Sequence, residues 1–188
     1  MQYVRDLALS IQHSGMPMTP PRLSLVLGGA RSGKSRYAEA LLSAYPARVY
    51  IATAQAFDDE MRARIAEHRA RREAGWHTVE APLDLPGALL DAGGAPVLVD
   101  CLTLWLSNLM LGGHDLSAAE AALIDALAAR PAPTVLVSNE VGLGIVPDNA
   151  LARAFRDHAG RLHQRLAAMA DSVVFMVAGL PMILKGPP

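Results

Sequence analysis

The apolar run Leu23 to Leu27 stops abruptly at Gly28-Gly29-Ala30-Arg31-Ser32-Gly33-Lys34-Ser35, and this junction limits the possible folds more than any other stretch of the chain. The eight residues fit the phosphate-loop pattern GxxxxGK[ST], and they lie where that pattern has meaning, between a strand-like run and the helical sequence Arg36 to Leu42. Glycines let the backbone turn sharply and approach a ligand closely, so its N–H groups can surround phosphate oxygens. Lys34 then offers a cation to the β and γ phosphates, Ser35 offers a hydroxyl to Mg2+, and the helix dipole points its positive end at the anion. A plain Gly-rich turn before a helix would not require Lys34 and Ser35 at those two positions.

Beyond this junction, apolar β-rich runs alternate with helical patterns. Leu23–Leu27, Arg48–Ala52, Val97–Asp100, Thr134–Ser138 and Val173–Val177 read as strands, with His77–Glu80 as a further candidate. Helices are expected at 34–44, 59–73, 102–111, 117–129 and 149–170, the last capped by Asp148. Nearly continuous hydrophobic strands separated by helices predict an α/β fold, a three-layer P-loop NTPase-type sandwich with a mostly parallel central sheet. At 188 residues the chain suits one domain over 23–188, preceded by an extension over 1–22 that carries no convincing secretory cleavage site.

Charge and composition exclude several classes. A formal net charge of -1 argues against a general grip on nucleic acid, so basic chemistry has to be local. The stretches 97–112 and 173–184 are apolar, but Asp100 and Asn108 interrupt the first and Gly179 and Pro181 the second; both fall short of a membrane span. Cys101 is the single cysteine, which excludes an internal disulfide and favours a reducing, cytoplasmic setting.

Ligands of such sheets collect at the carboxyl ends of the strands, and four of those ends carry polar residues. The phosphate loop is one. Thr53-Ala54-Gln55 is the second, either a nucleotide contact or a simple strand exit. Asp100, an acid closing Val97-Leu98-Val99, has the pattern of a carboxylate that organises Mg2+, with a helix cap as the alternative. The fourth is the loop Ser138 to Pro147, with two glycines and buried-looking hydrophobes, where Asn139 and Glu140 suit an acceptor-substrate contact.

The segment from Asp58 to Trp76 is the least ordinary. Helical spacing places Met61, Ile65, His68 and Arg72 on one face. One reading is a packing histidine beside a solvated face in which arginines pair with Glu60 and Glu67. The other is a local positive field, made by Arg69, Arg71 and Arg72, that draws a phosphate chain toward His68.

Three segments together carry a family resemblance: GGARSGKSRYAEAL, YIATAQAFDDEMRARIAEHRARR with the following GWHTVE, and VSNEVGLGIVPDNALARAFRDHAGRLHQRLA. In order and spacing, from Leu23 to about Val177, the chain resembles the bifunctional adenosylcobinamide kinase and adenosylcobinamide-phosphate guanylyltransferase family of cobalamin biosynthesis. The resemblance implies that His68, the histidine of the RIxxH stretch, accepts GMP from GTP. It implies nucleotide contacts at Gly28, Gly29, Ala30, Arg31, Ser32, Gly33, Lys34 and Ser35, at Thr53, Ala54 and Gln55, at Arg69, Ala70, Arg71 and Arg72, and at Glu80 and Asp100. Lys34 and His68 are the implied catalytic residues, Ser35 and Asp100 the implied Mg2+ ligands, GTP and ATP the nucleotide substrates, and adenosylcobinamide and its phosphate the acceptors. A homo-oligomer, a trimer, is implied as well.

Two departures stand out. Position 100 looks like glutamate in some relatives, so the shorter Asp100 fits a metal-linked role better than a direct nucleotide contact, and the extension before Pro21 matches nothing in the family. Glu80 offers acceptors for guanine N1–H and its amino group, a pattern adenine cannot answer. The rival classes are a single-activity P-loop small-molecule kinase, without a covalent intermediate, and a nucleotide-dependent binding switch.

Overall fold

The computed structural model describes residues 21–55 and 74–186. The described strands are β1 (Leu23–Gly28), β2 (Arg48–Ala52), β3 (Trp76–Glu80), β4 (Val97–Asp100), β5 (Thr134–Asn139), β6 (Ser172–Val177) and β7 (Leu180–Lys185). The helices are α1 (Lys34–Leu41), α2 (Leu85–Asp91), α3 (Leu102–Leu111), α4 (Leu116–Ala129) and α5 (Ala150–Met169). One sheet takes all the strands in the order β3-β2-β4-β5-β1-β6-β7, parallel except for the β6–β7 pair. The predicted α/β three-layer architecture with a mostly parallel sheet is therefore the one observed.

Alternation along the strands divides the core in two. Leu25, Leu27, Ile51, Val97, Val99, Leu136 and Val173 face α2, α3, α4 and α5, where Leu89, Trp105, Leu123 and Leu162 are buried against them. Val26, Tyr50, Leu98, Val135, Val137 and Val174 face the opposite way, onto Ala38 and Leu42 of the α1 segment. Because side chains point alternately to the two faces, a strand covered on both sides is apolar along most of its length, and β1 is buried from end to end with Ser24 as its one polar side chain.

Several boundaries differ from the sequence expectation. Helix α1 stops at Leu41 rather than Ala44, because the N–H groups of Leu42 and Ser43 bond to Glu39 O and Ala40 O, three residues back, tightening the last turn. Helix α2 was not expected; Pro86 and Gly87 mask it in the sequence, although Pro belongs in a first turn and Asp84 Oδ1 caps the helix by accepting from Gly87 N at 2.9 Å. Helix α5 is capped by Asn149, whose Oδ1 accepts from Ala152 N at 2.8 Å, and not by Asp148. The stretch after β6 turns back at Ala178 and Gly179, both at positive φ, and returns as the antiparallel edge strand β7, which is not among the expected strands. Leu180, Met182, Ile183 and Leu184 of β7 are exposed. The expected helix at 59–73 lies outside the described residues. Among the described residues no helix is long and apolar enough to cross a membrane.

Two arginines act as internal ties. Arg48, buried at the start of β2, donates to Leu42 O at 3.2 Å and Ala74 O at 3.0 Å and stacks 4.7 Å over the Trp76 ring. Arg130, between α4 and β5, donates to Thr134 Oγ1 at 3.0 Å, Gly93 O at 3.1 Å, Ala95 O at 2.6 Å and also to Leu89 O. It thereby ties the end of α2 and the turn after it to the start of β5, satisfying the buried Leu89 carbonyl and two part-buried ones. Replacing Arg130 by Met keeps the bulk and orphans those carbonyls. The expected loss is about 2–4 kcal/mol of unfolding free energy in urea titration, and a change under about 0.5 kcal/mol, the range of an unremarkable surface substitution, would contradict this role.

Candidate active site at the carboxyl edge of the sheet

Parallel pairing brings the ends of β1, β4 and β5 to one rim: Gly28 lies opposite Asn139, and Asp100 opposite Val137. Gly28 has φ 151° and no room for a side chain, since a Cβ there would sit 2.6 Å from Met176 O and 2.7 Å from Ser32 Oγ. The loop turns at Arg31, φ 54°, and delivers Gly33, φ 95°, as the residue before α1. It is buttressed from the side by the β6–β7 turn, whose Gly179 N–H donates to Ser32 O at 3.1 Å.

Lys34 is largely buried and its Nζ donates to Gly29 O at 2.5 Å, with Ser32 Oγ 3.5 Å away. Desolvation lowers its pKa, and the Asp100 carboxylate opposes the shift. A partly desolvated ammonium with only neutral hydrogen-bond partners gains strongly from an incoming polyphosphate. Ser35 Oγ donates to Asp100 Oδ2 at 2.7 Å, and Tyr50 OH donates to the same oxygen at 3.0 Å. Asp100 is not the cap of α3; that place belongs to Cys101, across a cis peptide bond. Its carboxylate is turned onto the first turn of α1 instead. Two hard oxygen donors, a hydroxyl and a carboxylate, thus meet beneath the loop, the chemistry Mg2+ selects when phosphates and waters complete its shell. Among the described residues no group of three or more His, Cys, Asp or Glu could hold a metal by itself.

The predicted site residues divide into three sets. Gly28, Gly29, Ala30, Arg31, Ser32, Gly33, Lys34, Ser35 and Asp100 come together as described. Thr53 lies at the β2 exit, but its hydroxyl is engaged by Cys101, donating to Cys101 O at 2.7 Å and accepting from Cys101 N at 2.8 Å. Its carbonyl is taken by Asn108 Nδ2 at 2.8 Å. Ala54 follows, and Gln55 lines a cavity of about 270 Å³ together with Leu83, Asn108, Leu111, Gly112 and His114. Glu80 is exposed at the end of β3 and shares Ala52 as a register neighbour with Asp100, placing it on the same rim, two strands or about 10 Å away. His68, Arg69, Ala70, Arg71 and Arg72 lie outside the described residues.

Tyr50 as a ligand of Asp100 was not expected from the sequence, since a tyrosine in an apolar strand reads as core. Nor was the contact between β5 and α5, where Ser138 Oγ lies 2.7 Å from His163 Nε2 and His163 Nδ1 lies 3.8 Å from Glu140 Oε2. Asn139 donates to Thr103 Oγ1 at 2.9 Å. The hydrophobes after Glu140, which looked buried in the sequence, are exposed: Leu143 and Val146 by more than half, Ile145 almost completely. Cys101 is enclosed, and burial pushes its thiol up to about 11, so it is no candidate nucleophile.

Burial also lowers the pKa of His163, with Glu140 partly opposing. Below the unfolded-state value of about 6.5 the unfolded chain binds more protons at this site than the folded one. Its contribution is therefore complete above about pH 6.5 and is lost as pH falls toward the lower folded-state value. Urea unfolding should show wild-type stability falling more steeply than that of His163→Gln between about pH 6.5 and 5, by at most about 1.4 kcal/mol per unit. Parallel slopes would contradict a neutral buried His163.

Comparison with known proteins agrees with this geometry. The family model described as cobinamide kinase / cobinamide phosphate guanyltransferase matches residues 24–184. The bifunctional adenosylcobalamin biosynthesis protein CobP of Pseudomonas aeruginosa is 54% identical over 169 residues, spanning 87% of this chain and 98% of the relative. The proteins called CobU of Salmonella typhimurium and Escherichia coli are 49% and 47% identical, each over 86% of this chain and 98% of the relative. With a model match across nearly the whole described fold and relatives aligned end to end, the chain belongs to the cobinamide kinase / cobinamide phosphate guanyltransferase family.

Proposed function

We propose that this protein is a cytoplasmic enzyme with two sequential activities: it phosphorylates adenosylcobinamide with a nucleoside triphosphate, then transfers GMP from GTP to the product through His68, giving adenosylcobinamide-GDP. Family membership supports the pair of activities, and the hydrogen bond from Ser35 to Asp100 beneath the phosphate loop is the structural observation that carries the nucleotide half.

In the first step the loop N–H groups and Lys34 hold the triphosphate while the hydroxyl of the aminopropanol arm meets the γ-phosphorus, so positioning and charge neutralisation supply most of the catalysis. Ser35 and Asp100 are the residues that would hold Mg2+, which when bound supplies charge neutralisation across the phosphate oxygens. Tyr50 fixes the rotamer of Asp100 by donating to the oxygen that Ser35 also uses. In the second step the neutral imidazole of His68 attacks the α-phosphorus of GTP, pyrophosphate leaves, and a phosphoramidate forms. The phosphate of adenosylcobinamide phosphate then attacks that phosphorus and displaces the imidazole. A histidine with an unperturbed pKa near about 6.5 serves both halves, nucleophilic when neutral and a good leaving group when protonated. Glu80 reads the guanine edge, a role supported by its lying on the same rim as Asp100.

The exposed apolar edge strand β7 suits burial against another copy of the chain, in line with the implied trimer.

Incubation with GTP labelled at the α-phosphate, followed by acid and alkali treatment, tests the covalent step. The expected result is label that is acid-labile and alkali-stable, maps to His68, and disappears in His68→Asn, while phosphorylation of adenosylcobinamide persists. Label at another residue, or GDP-linked product formed at wild-type rate by His68→Asn, would overturn the reading; phosphorylation with no adduct and no GDP-linked product would leave a single-activity kinase.

A further inference from the structure

Ser138, His163 and Glu140 form a polar line that neither the phosphate loop nor Asp100 uses. Ser138 is fully buried in β5, the strand between β1 and β4, and His163 is buried on α5 directly above it. Leu136, Leu162 and Leu166 belong to the apolar core on this side of the sheet, so Ser138 and His163 form a polar pair beside hydrophobic packing. An imidazole lone pair aimed at a carboxylate would be repelled, so the nitrogen facing Glu140 carries the proton: Nδ1–H points at Glu140 Oε2, 3.8 Å away, and Nε2 accepts from the Ser138 hydroxyl at 2.7 Å. The other oxygen of Glu140, Oε1, accepts from Gly142 N–H. Glu140 is also tied through its backbone, since its N–H donates to Gly28 O at 3.0 Å. Its carboxylate is therefore held by one hydrogen bond and lies at electrostatic range of His163 at the root of the phosphate loop, yet 23% of the side chain remains open to solvent.

We propose that Glu140 is the general base for the phosphoryl acceptor and that His163, locked by Ser138, is its positioning residue. This rests on the kinase reading given above. As the acceptor hydroxyl oxygen bonds to the γ-phosphorus, its proton passes to a carboxylate oxygen of Glu140. The bond from the γ-phosphorus to the β,γ-bridging oxygen breaks, and its electron pair leaves with the nucleoside diphosphate. Protonated Glu140 returns its proton to solvent at the open rim. Ser138 holds the His163 ring in place by donating to Nε2, and the His163 Nδ1–H, facing Oε2, draws the carboxylate back between turnovers. Guanylylation of the protein needs no acceptor base and does not call on this line.

Phosphoryl transfer from γ-labelled triphosphate to adenosylcobinamide is the test, with nucleotide Kd and Tm measured on the same preparations. Glu140→Gln, which preserves the acceptor for Gly142 N–H, should lower kcat roughly 100-fold or more while leaving the KM for triphosphate within about threefold. Glu140→Asp should fall between the two, and serves as the measurement if the amide variant does not fold. His163→Gln should lower kcat about tenfold with nucleotide Kd unchanged, a split that a purely structural role would not give. Glu140→Gln with kcat within about threefold of wild type, or a loss confined to nucleotide affinity, would overturn the proposal. Wild-type protein that forms no phosphorylated corrinoid would overturn the kinase reading beneath it.

Discussion

The hydrogen bond from Ser35 to Asp100 joins the first turn of α1 to the end of β4, across 65 residues of sequence, and so links β1 to a strand two places away in the sheet. It exists only because β1, β5 and β4 run parallel and in a register that brings their carboxyl ends level. Burial on both faces enforces that register: a one-residue slip of β5 would move Leu136 and the other large side chains to the wrong layer. The apolar core and the polar rim are thus one arrangement, in which the core fixes where the strands end and the chemistry occupies what lies just beyond.

Glycine at position 28 shows how tightly the rim is built. The β6 backbone leaves no space for a Cβ there, and the turn after β6 reaches across to hydrogen-bond the loop at Ser32. The phosphate loop therefore rests on β5 through Glu140, on the β6–β7 turn through Gly179 and on Asp100 through Ser35. A loop held at three places presents its N–H groups without reorganising when a triphosphate arrives, which is the economy that preorganised electrostatic catalysis depends on.

The sequence made the inner strands legible because parallel strands covered on both faces are apolar at most positions, and it made the loop legible because its residue types are dictated by a ligand. It concealed features whose partners are distant in the chain. Tyr50 looks like core until Asp100 is seen beside its hydroxyl, and His163 looks like one polar position on an amphipathic helix until Ser138 and Glu140 are brought to it. Helix α2 was hidden by a proline and a glycine that its first turn tolerates, and the cap of α5 shifted by one residue because Asn149 and Asp148 are equally able to cap. The exposed Leu143, Ile145 and Val146 misled in the other direction: hydrophobic residues in a loop need not be buried when a large apolar substrate or a neighbouring subunit can cover them.

On the proposed function, Asp100 and Ser35 form, with the phosphate loop, a single site for a triphosphate and its divalent cation. The most direct measurement is the affinity for GTP as a function of Mg2+ concentration in wild type and in Asp100→Asn. Wild-type affinity should rise with Mg2+ and that of Asp100→Asn should lose the rise while keeping the metal-free affinity conferred by Lys34 and the loop. An unaltered Mg2+ dependence in Asp100→Asn would contradict the claim.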